Sequence, residues 1–177
     1  MRKYKKNIVY IGIGSNLNGH MSTSFNMLNI VISYLSLKGL RVISSSSIYK
    51  SRPLPSGLGP YFYNSVIIVK SSMKAVDILI ILKDIERIFG RKKYKYKNSP
   101  RVLDLDLLDC RGEISNMGSL LKLPHPKLTK RDFVLHPLYE LNPNWAHPES
   151  AIKIKSLLVR NNRYSIGLAK LKKNGNC

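Results

Sequence analysis

Twice in its first 108 residues the chain passes from a strand-like run to a helical period of about 3.6 and back again. Residues 8–13 are an apolar run of strand length ending in Gly14-Ser-Asn-Leu17. A helix follows, with Ser22 or Thr23 as its cap, Met27, Leu28, Val31, Ile32 and Leu35 on one face, and Gly39 to stop it. Residues 41–49 favour strand, residues 51–60 form a loop with three prolines and two glycines, and residues 62–69 are a strand. Ser72 is the expected cap of a second helix over 75–89. Its apolar face is Val76, Leu79, Ile80, Ile85 and Ile88, interrupted by Lys83, and Gly90 ends it. Residues 102–108 close the series as a strand. The order β-α-β-β-α-β predicts an α+β fold: a ferredoxin-like sandwich in which helices pack on an antiparallel sheet.

Beyond this unit come Pro-rich loops and short helices near 135–141 and 151–159, read as C-terminal additions. A single domain is expected over 1–160, with a basic, mobile tail over 161–177. No apolar run approaches the roughly 18 residues of a membrane span. The run at 8–13 is also too short for a signal-peptide core. The two cysteines, Cys110 and Cys177, have neither CxxC spacing nor a histidine cluster, which argues against a disulfide framework or a zinc site. A soluble, cytoplasmic, monomeric protein is the simplest expectation.

Thirty basic against ten acidic residues give a net charge of +20. Such a surface suits phosphate-bearing partners. Abundant Lys, Ile, Asn, Ser and Tyr also fit drift toward A/T-rich codons, so charge alone names no partner. The scarcity of acids is more telling, because Asp104, Asp106 and Asp109 fall within six residues. On a strand, Leu103, Leu105 and Leu107 face one way and Asp104 and Asp106 the other, about 6.6 Å apart along the chain. Two adjacent carboxylates repel unless a cation lies between them. Hard oxygens in so small a number suit Mg²⁺ that also takes oxygens from a substrate phosphate; a solvent-facing polar strand face is the plainer alternative.

Just upstream, Arg91, Lys92, Lys93, Lys95, Lys97 and Arg101 carry six positive charges with no acid among them. A basic loop leading into an acidic pair is what phosphoryl transfer requires. A solvated loop, or a nucleic-acid patch with Tyr94 and Tyr96 interleaved, are the other readings. No Gly-x-x-x-x-Gly-Lys-Ser/Thr loop is present, which excludes a P-loop kinase. Gly12 and Gly14 lack the third glycine of a dinucleotide fingerprint and are expected where a strand end turns tightly. His125, between two prolines, can donate to a phosphate or a ribose, or can be structural.

These segments form an ordered series. It runs from Gly14-Ser-Asn-Leu17 through Tyr49…Pro53-Leu54, Phe62-Tyr-Asn64 and Glu86…Gly90-Arg91 to Pro100-Arg-Val-Leu-Asp-Leu-Asp-Leu-Leu108. It ends with Leu123-Pro-His-Pro126, Arg131-Asp-Phe-Val-Leu135 and Pro137-Leu-Tyr-Glu140. The series resembles the hydroxymethyldihydropterin pyrophosphokinases of the folate pathway over about residues 9–148. The resemblance implies a ferredoxin-like fold and transfer of diphosphate from ATP to the hydroxymethyl group of a dihydropterin, with AMP as the other product. It also implies that Asp104 and Asp106 hold two Mg²⁺ ions, that Arg91 and Arg101 brace the transferring phosphates, and that Lys93 is a further phosphate contact. Glu86, Lys93, Arg101, His125 and Arg131 fall on ATP-binding positions. Ser51, Leu54, Phe62, Asn64 and Phe133 fall on pterin-binding positions: Asn64 reads the amide edge of the ring, and the two phenylalanines flank it.

Three positions depart from the family pattern: Asn98 where a loop tryptophan is usual, Lys83 where glutamine is frequent, and Leu120 where a basic residue is frequent. The implied partners are small molecules only, with no nucleic acid and no membrane. The rivals are a small basic RNA-binding module on the same sandwich and a homologue with reduced activity. An RNA-binding module would gain nothing from Asp104 and Asp106 beside phosphates.

Overall fold

Five strands within the first 110 residues build most of one antiparallel sheet, an inner strand of which carries two glycines, and that sheet organises everything else. The computed structural model describes residues 7–16, 21–52, 60–90, 102–161 and 168–171. Strand β1 (Ile8–Ser15) leads to helix α1 (Met21–Leu37), strands β2 (Arg41–Ser45), β3 (Ile48–Ser51) and β4 (Phe62–Lys70), helix α2 (Ala75–Ile88) and strand β5 (Asp104–Cys110). The spatial order is β5-β1-β4-β3, with β2 also paired to β4, and the pairings among these strands are antiparallel. This is the expected split βαβ arrangement, and the region read as one strand at 41–49 is two.

Apolar side chains decide the layers. Val9, Ile11 and Ile13 of β1 point with Ile67, Val69, Leu103, Leu105 and Leu107 into a core closed by Leu28, Val31 and Leu35 of α1 and Ile78, Leu82 and Ile85 of α2. Helix α1 already begins at Met21, so residues 22 and 23 lie within it rather than before it. Its other end follows the sequence. Gly39 adopts φ +78°, its N–H reaches the Ser36 carbonyl at 3.0 Å, and the Leu40 N–H reaches Leu35 at 2.9 Å. That paired closure needs a residue free to take the left-handed conformation.

Helix α2 differs from the sequence reading in two ways. Its N-cap is Lys74, without a side-chain cap, and not Ser72. Its buried face is Ala75, Ile78, Leu82, Ile85 and Glu86, while Ile80 and Ile88 are more than half exposed. Residues 78–82 are apolar on every side, so the sequence offers two helical registers, and the tertiary contacts select the other one.

The opposite sheet face is covered by the C-terminal elements. A 3-10 turn at Leu128–Lys130, helix α3 (Asp132–Leu141) and helix α4 (Ile154–Asn161) bury Leu128, Leu135, Leu138, Ile154 and Leu157 against Tyr10, Val66 and Leu108. Between β5 and α3 lies a small hairpin, β6 (Ser115–Asn116) and β7 (Lys122–Leu123). Strand β8 (Ala169–Leu171) pairs antiparallel with β3, from Ile48↔Leu171 to Lys50↔Ala169. The expectation of a mobile tail from residue 161 is therefore corrected at these three residues, which extend the main sheet. Residues 162–167 and 172–177 lie outside the described residues. No helix among the described residues is long and apolar enough to cross a membrane.

Candidate active site

Strand alternation turns Asp104 and Asp106 away from the leucine core and onto the face covered by α3. Register then sets Gly14 opposite Asp104 and Gly12 opposite Asp106 on β1, and Asn64 of β4 on the other side of Gly14. The two glycines lie inside β1 rather than at a turn, and neither takes a positive φ, so their role is not conformational. At Gly14 the role is space. A Cβ there would stand 3.3 Å from Asn64 Oδ1 and 3.9 Å from Asp104 Cβ, filling the gap between the amide and the carboxylate. A Cβ at Gly12 would meet Leu108 at an ordinary 3.5 Å.

On the acidic side, Arg131 donates to Asp106 Oδ2 at 2.7 Å, and His125 Nε2 lies 3.8 Å from the same oxygen. Burial pulls the Asp106 carboxyl upward, but the neighbouring His125, Arg131 and Lys83 outweigh it and hold the group below the usual carboxylate range. His125 is itself pushed below the usual histidine value, by burial first, against the pull of Asp106. Near neutral pH the charge facing Asp106 is therefore chiefly the Arg131 guanidinium. The cis Leu123–Pro124 peptide leads into His125, whose N–H reaches the Leu108 carbonyl at 2.9 Å and whose Nδ1 accepts from the Lys127 N–H at 3.1 Å. That leaves Nε2 as the atom facing the carboxylate. Phe133 lies under the Arg131 guanidinium, 5.6 Å from ring centre to the guanidinium carbon.

On the other side, buried Asn64 donates through Nδ2 to Ser51 Oγ at 2.9 Å. With one N–H fixed in this way, the second N–H and Oδ1 form a donor–acceptor pair suited to the amide edge of a flat heterocycle. Phe62 opens β4 opposite Ser51 and is partly exposed. Two contributors went unassigned in the sequence. Gly14 supplies the gap; Glu140, in the quoted Pro137–Glu140 segment, ties α3 to this wall. Glu140 accepts from the Ser47 N–H at 3.0 Å, the Ser47 hydroxyl at 2.9 Å and the Tyr49 hydroxyl at 2.8 Å, and pairs with Lys170 at 3.2 Å.

Glu86 falls on an ATP-binding position by the resemblance, and its contacts with Lys83 and the Leu105 N–H are within the protein. It is 1% exposed, with its carboxylate on the Leu105 N–H at 2.7 Å and on the Lys83 ammonium. Of the residues read from the sequence, the structure gathers Asp104, Asp106, His125, Arg131 and Phe133 at one end and Ser51, Asn64 and Phe62 at the other. Arg91, Lys93, Arg101 and Leu54 lie outside the described residues, as does Asn98.

The donor chemistry fits divalent magnesium. Asp104 and Asp106 offer hard oxygens on one strand face, where their β1 partners Gly14 and Gly12 bear no side chains. Among the described residues no group of three or more Asp, Glu, His and Cys side chains could hold an ion, so the remaining ligands would be water and phosphate oxygens.

The family model "7,8-dihydro-6-hydroxymethylpterin-pyrophosphokinase (HPPK)" matches residues 10–143. The chain is 34% identical over 140 residues to the 2-amino-4-hydroxy-6-hydroxymethyldihydropteridine pyrophosphokinase of Aquifex aeolicus, covering 79% of this chain and 83% of that protein. It is 36% identical over 148 residues to the folic acid synthesis protein fol1 of Pneumocystis carinii, covering 84% of this chain but only 19% of that much longer protein. Among solved structures, Plasmodium falciparum HPPK-DHPS with pterin and p-hydroxybenzoate superposes with a TM-score of 0.70 at 16% identity. The match covers 94% of this chain and 46% of that one, a likeness of fold.

Proposed function

Given that the chain belongs to the 7,8-dihydro-6-hydroxymethylpterin-pyrophosphokinase family, we propose that it catalyses pyrophosphoryl transfer from ATP to 6-hydroxymethyl-7,8-dihydropterin in folate biosynthesis. The pterin hydroxyl oxygen bonds to the β-phosphorus of ATP, the bond from that phosphorus to the α,β-bridging oxygen breaks, and AMP leaves. The hydroxyl proton passes to solvent, and the products are AMP and the pterin diphosphate. Catalysis of this kind is mostly positioning and charge neutralisation.

The observation that carries the reading is the side-chain-free gap at Gly14 between an amide suited to a pterin edge and a carboxylate pair suited to a metal-bound polyphosphate. Asn64, held by Ser51, orients the ring, with Phe62 and Phe133 supplying apolar faces. By the family resemblance, Leu54 would also bind the pterin. Arg131 and His125 receive the phosphates at the Asp106 end, and Arg91, Lys93 and Arg101 add positive charge from the preceding loop. Asp104 and Asp106 would hold two Mg²⁺ ions; bound there, the metal would neutralise the polyphosphate and make the β-phosphorus more electrophilic. We propose that the enzyme works as a monomer in the cytoplasm and that its ligands are small molecules rather than nucleic acid or membrane.

The test is AMP formation from ATP, the pterin and Mg²⁺. Wild type should release AMP only when all three are present. Asp106→Ala should slow the reaction about a thousandfold or more while the far-UV spectrum stays native. Equal rates in the two proteins would overturn the proposal.

A further inference from the structure

We propose that Lys83 and Glu86 together serve β5 as a stand-in for a neighbouring strand, fixing the backbone on both sides of Leu105 and with it the aim of Asp104 and Asp106. They are positioning residues for the carboxylate pair, and this inference rests on the metal-binding reading above.

Among the described residues, strand β5 is the last in its sheet, with β1 on one side and no strand on the other. Leu105 lies between the two aspartates, opposite Ile13. Its N–H donates to Glu86 Oε1 at 2.7 Å and its carbonyl accepts from Lys83 Nζ at 3.2 Å. One acceptor and one donor meeting the same residue from outside the sheet is the pattern a paired strand would present.

The two side chains are three residues apart on α2, the spacing that brings helix neighbours together. They are also bound to each other, with Lys83 Nζ at 3.1 and 3.0 Å from the two Glu86 oxygens. The two peptide groups that flank Leu105 are thus held by a closed triangle rather than by one flexible contact. The Glu86 side chain is 1% exposed and that of Lys83 43%, so the carboxylate is locked inside while the ammonium bridges to the rim. An unpaired strand edge frays, and fraying at Leu105 would move both aspartates at once. Rigid support behind ligating groups ordinarily changes metal affinity by about 10- to 100-fold.

The double variant Lys83→Met/Glu86→Met removes both charges at once, so no buried charge is stranded. Its urea midpoint should fall, because the buried Leu105 N–H and carbonyl lose their partners, with the protein still folded at about 25 °C. Exchange of the Leu105 amide should quicken about tenfold, and Mn²⁺ affinity of the complex with a non-hydrolysable ATP analogue, read by EPR, should fall about tenfold. Binding of that analogue in EDTA should be unchanged. Unchanged Leu105 exchange and Mn²⁺ affinity would overturn the proposal. So would a loss of metal-free nucleotide binding as large as the Mn²⁺ loss, because Glu86 would then be a direct nucleotide contact.

If the double variant does not fold, Lys83→Gln and Lys83→Leu repeat the contrast: Gln, still able to donate to the Leu105 carbonyl, should keep Mn²⁺ affinity, and Leu should lose it. Equal affinities in those two would count against the inference. Asp106→Ala is the control that separates the two ideas. If it binds Mn²⁺ as wild type does, the carboxylate pair is not the metal site and the reading of the site itself fails.

Discussion

Three aspartates sit on one strand and on one face of it, yet the two ends of β5 use them in opposite ways. Asp104 and Asp106 follow strict alternation. Asp109 reaches the same face only because Ile11 pairs with Leu107 and Tyr10 with Asp109, leaving Leu108 as an extra residue. There Asp109 is 1% exposed, accepting from Trp145 Nε1 and from the Gly112 N–H, each at 2.8 Å. Burial pushes its carboxyl above the usual range, whereas that of Asp106, one-quarter exposed and facing Arg131, is held below it. Identical side chains a few residues apart therefore become a partly open, charge-paired group at one end and a buried tie between the sheet and the C-terminal region at the other. What closes over the carboxylate decides which.

The comparison breaks most decisively if Asp106→Ala and Asp109→Ala produce the same phenotype. The first should abolish nearly all AMP release with the fold intact, as set out above. Asp109→Ala should instead cost about 3 kcal/mol of stability, because it strands the buried Trp145 N–H. Urea melts would show the loss, and turnover per folded molecule should remain within a few-fold of wild type. A catalytic collapse in stable Asp109→Ala protein would mean that both ends belong to the active site.

Asn64→Ala gives a smaller and more selective effect. Pterin affinity should weaken about tenfold, the scale of one lost pair of hydrogen bonds, while ATP affinity is spared. Calorimetry that finds equal losses for both ligands would remove Asn64 from the ring end.

The smallest effect is in pH dependence. Asp106 stabilises the fold above the ordinary carboxylate value near 4 and loses that contribution as pH falls through its lower native value. Asp109 has the opposite sign: its raised native value means the fold gains stability as pH falls from that value toward 4. In metal-free urea melts between about pH 2 and 6, the destabilisation caused by Asp106→Asn should shrink with acid, and that caused by Asp109→Asn should grow. Slopes of the same sign would show that the two ends are not electrostatically distinct.

Much of this was legible in the sequence. The order of strands and helices follows from period changes, and the aspartate pair stands out because acids are few. The α3 segment and the Arg131 and His125 contacts were marked by an ordered motif series. The bulge at Leu108 left no mark, since Leu107 and Leu108 look alike in the chain and only the partner strand assigns them to opposite faces. Lys83 read as an interruption of an apolar face because its partners, Glu86 and the Leu105 carbonyl, are set by the packing of α2 on β5. The gap at Gly14 was equally silent: a glycine in a sequence signals freedom of the backbone, and here it is the missing side chain that matters.

Strand β8 has a consequence for the timing of folding. Tyr49 and Lys170 are register partners separated by 121 positions, and Lys170 also pairs with the Glu140 that holds Ser47 and Tyr49. During synthesis β3 can take its place on β4 early, but its outer edge stays open until Ala169–Leu171 has been made. For most of the chain's production, the strand carrying Ser51 is an uncovered template for unwanted strand pairing. The protection arrives only with Ala169–Leu171, so a ribosome that stalls after α4 would release a chain with a sticky side.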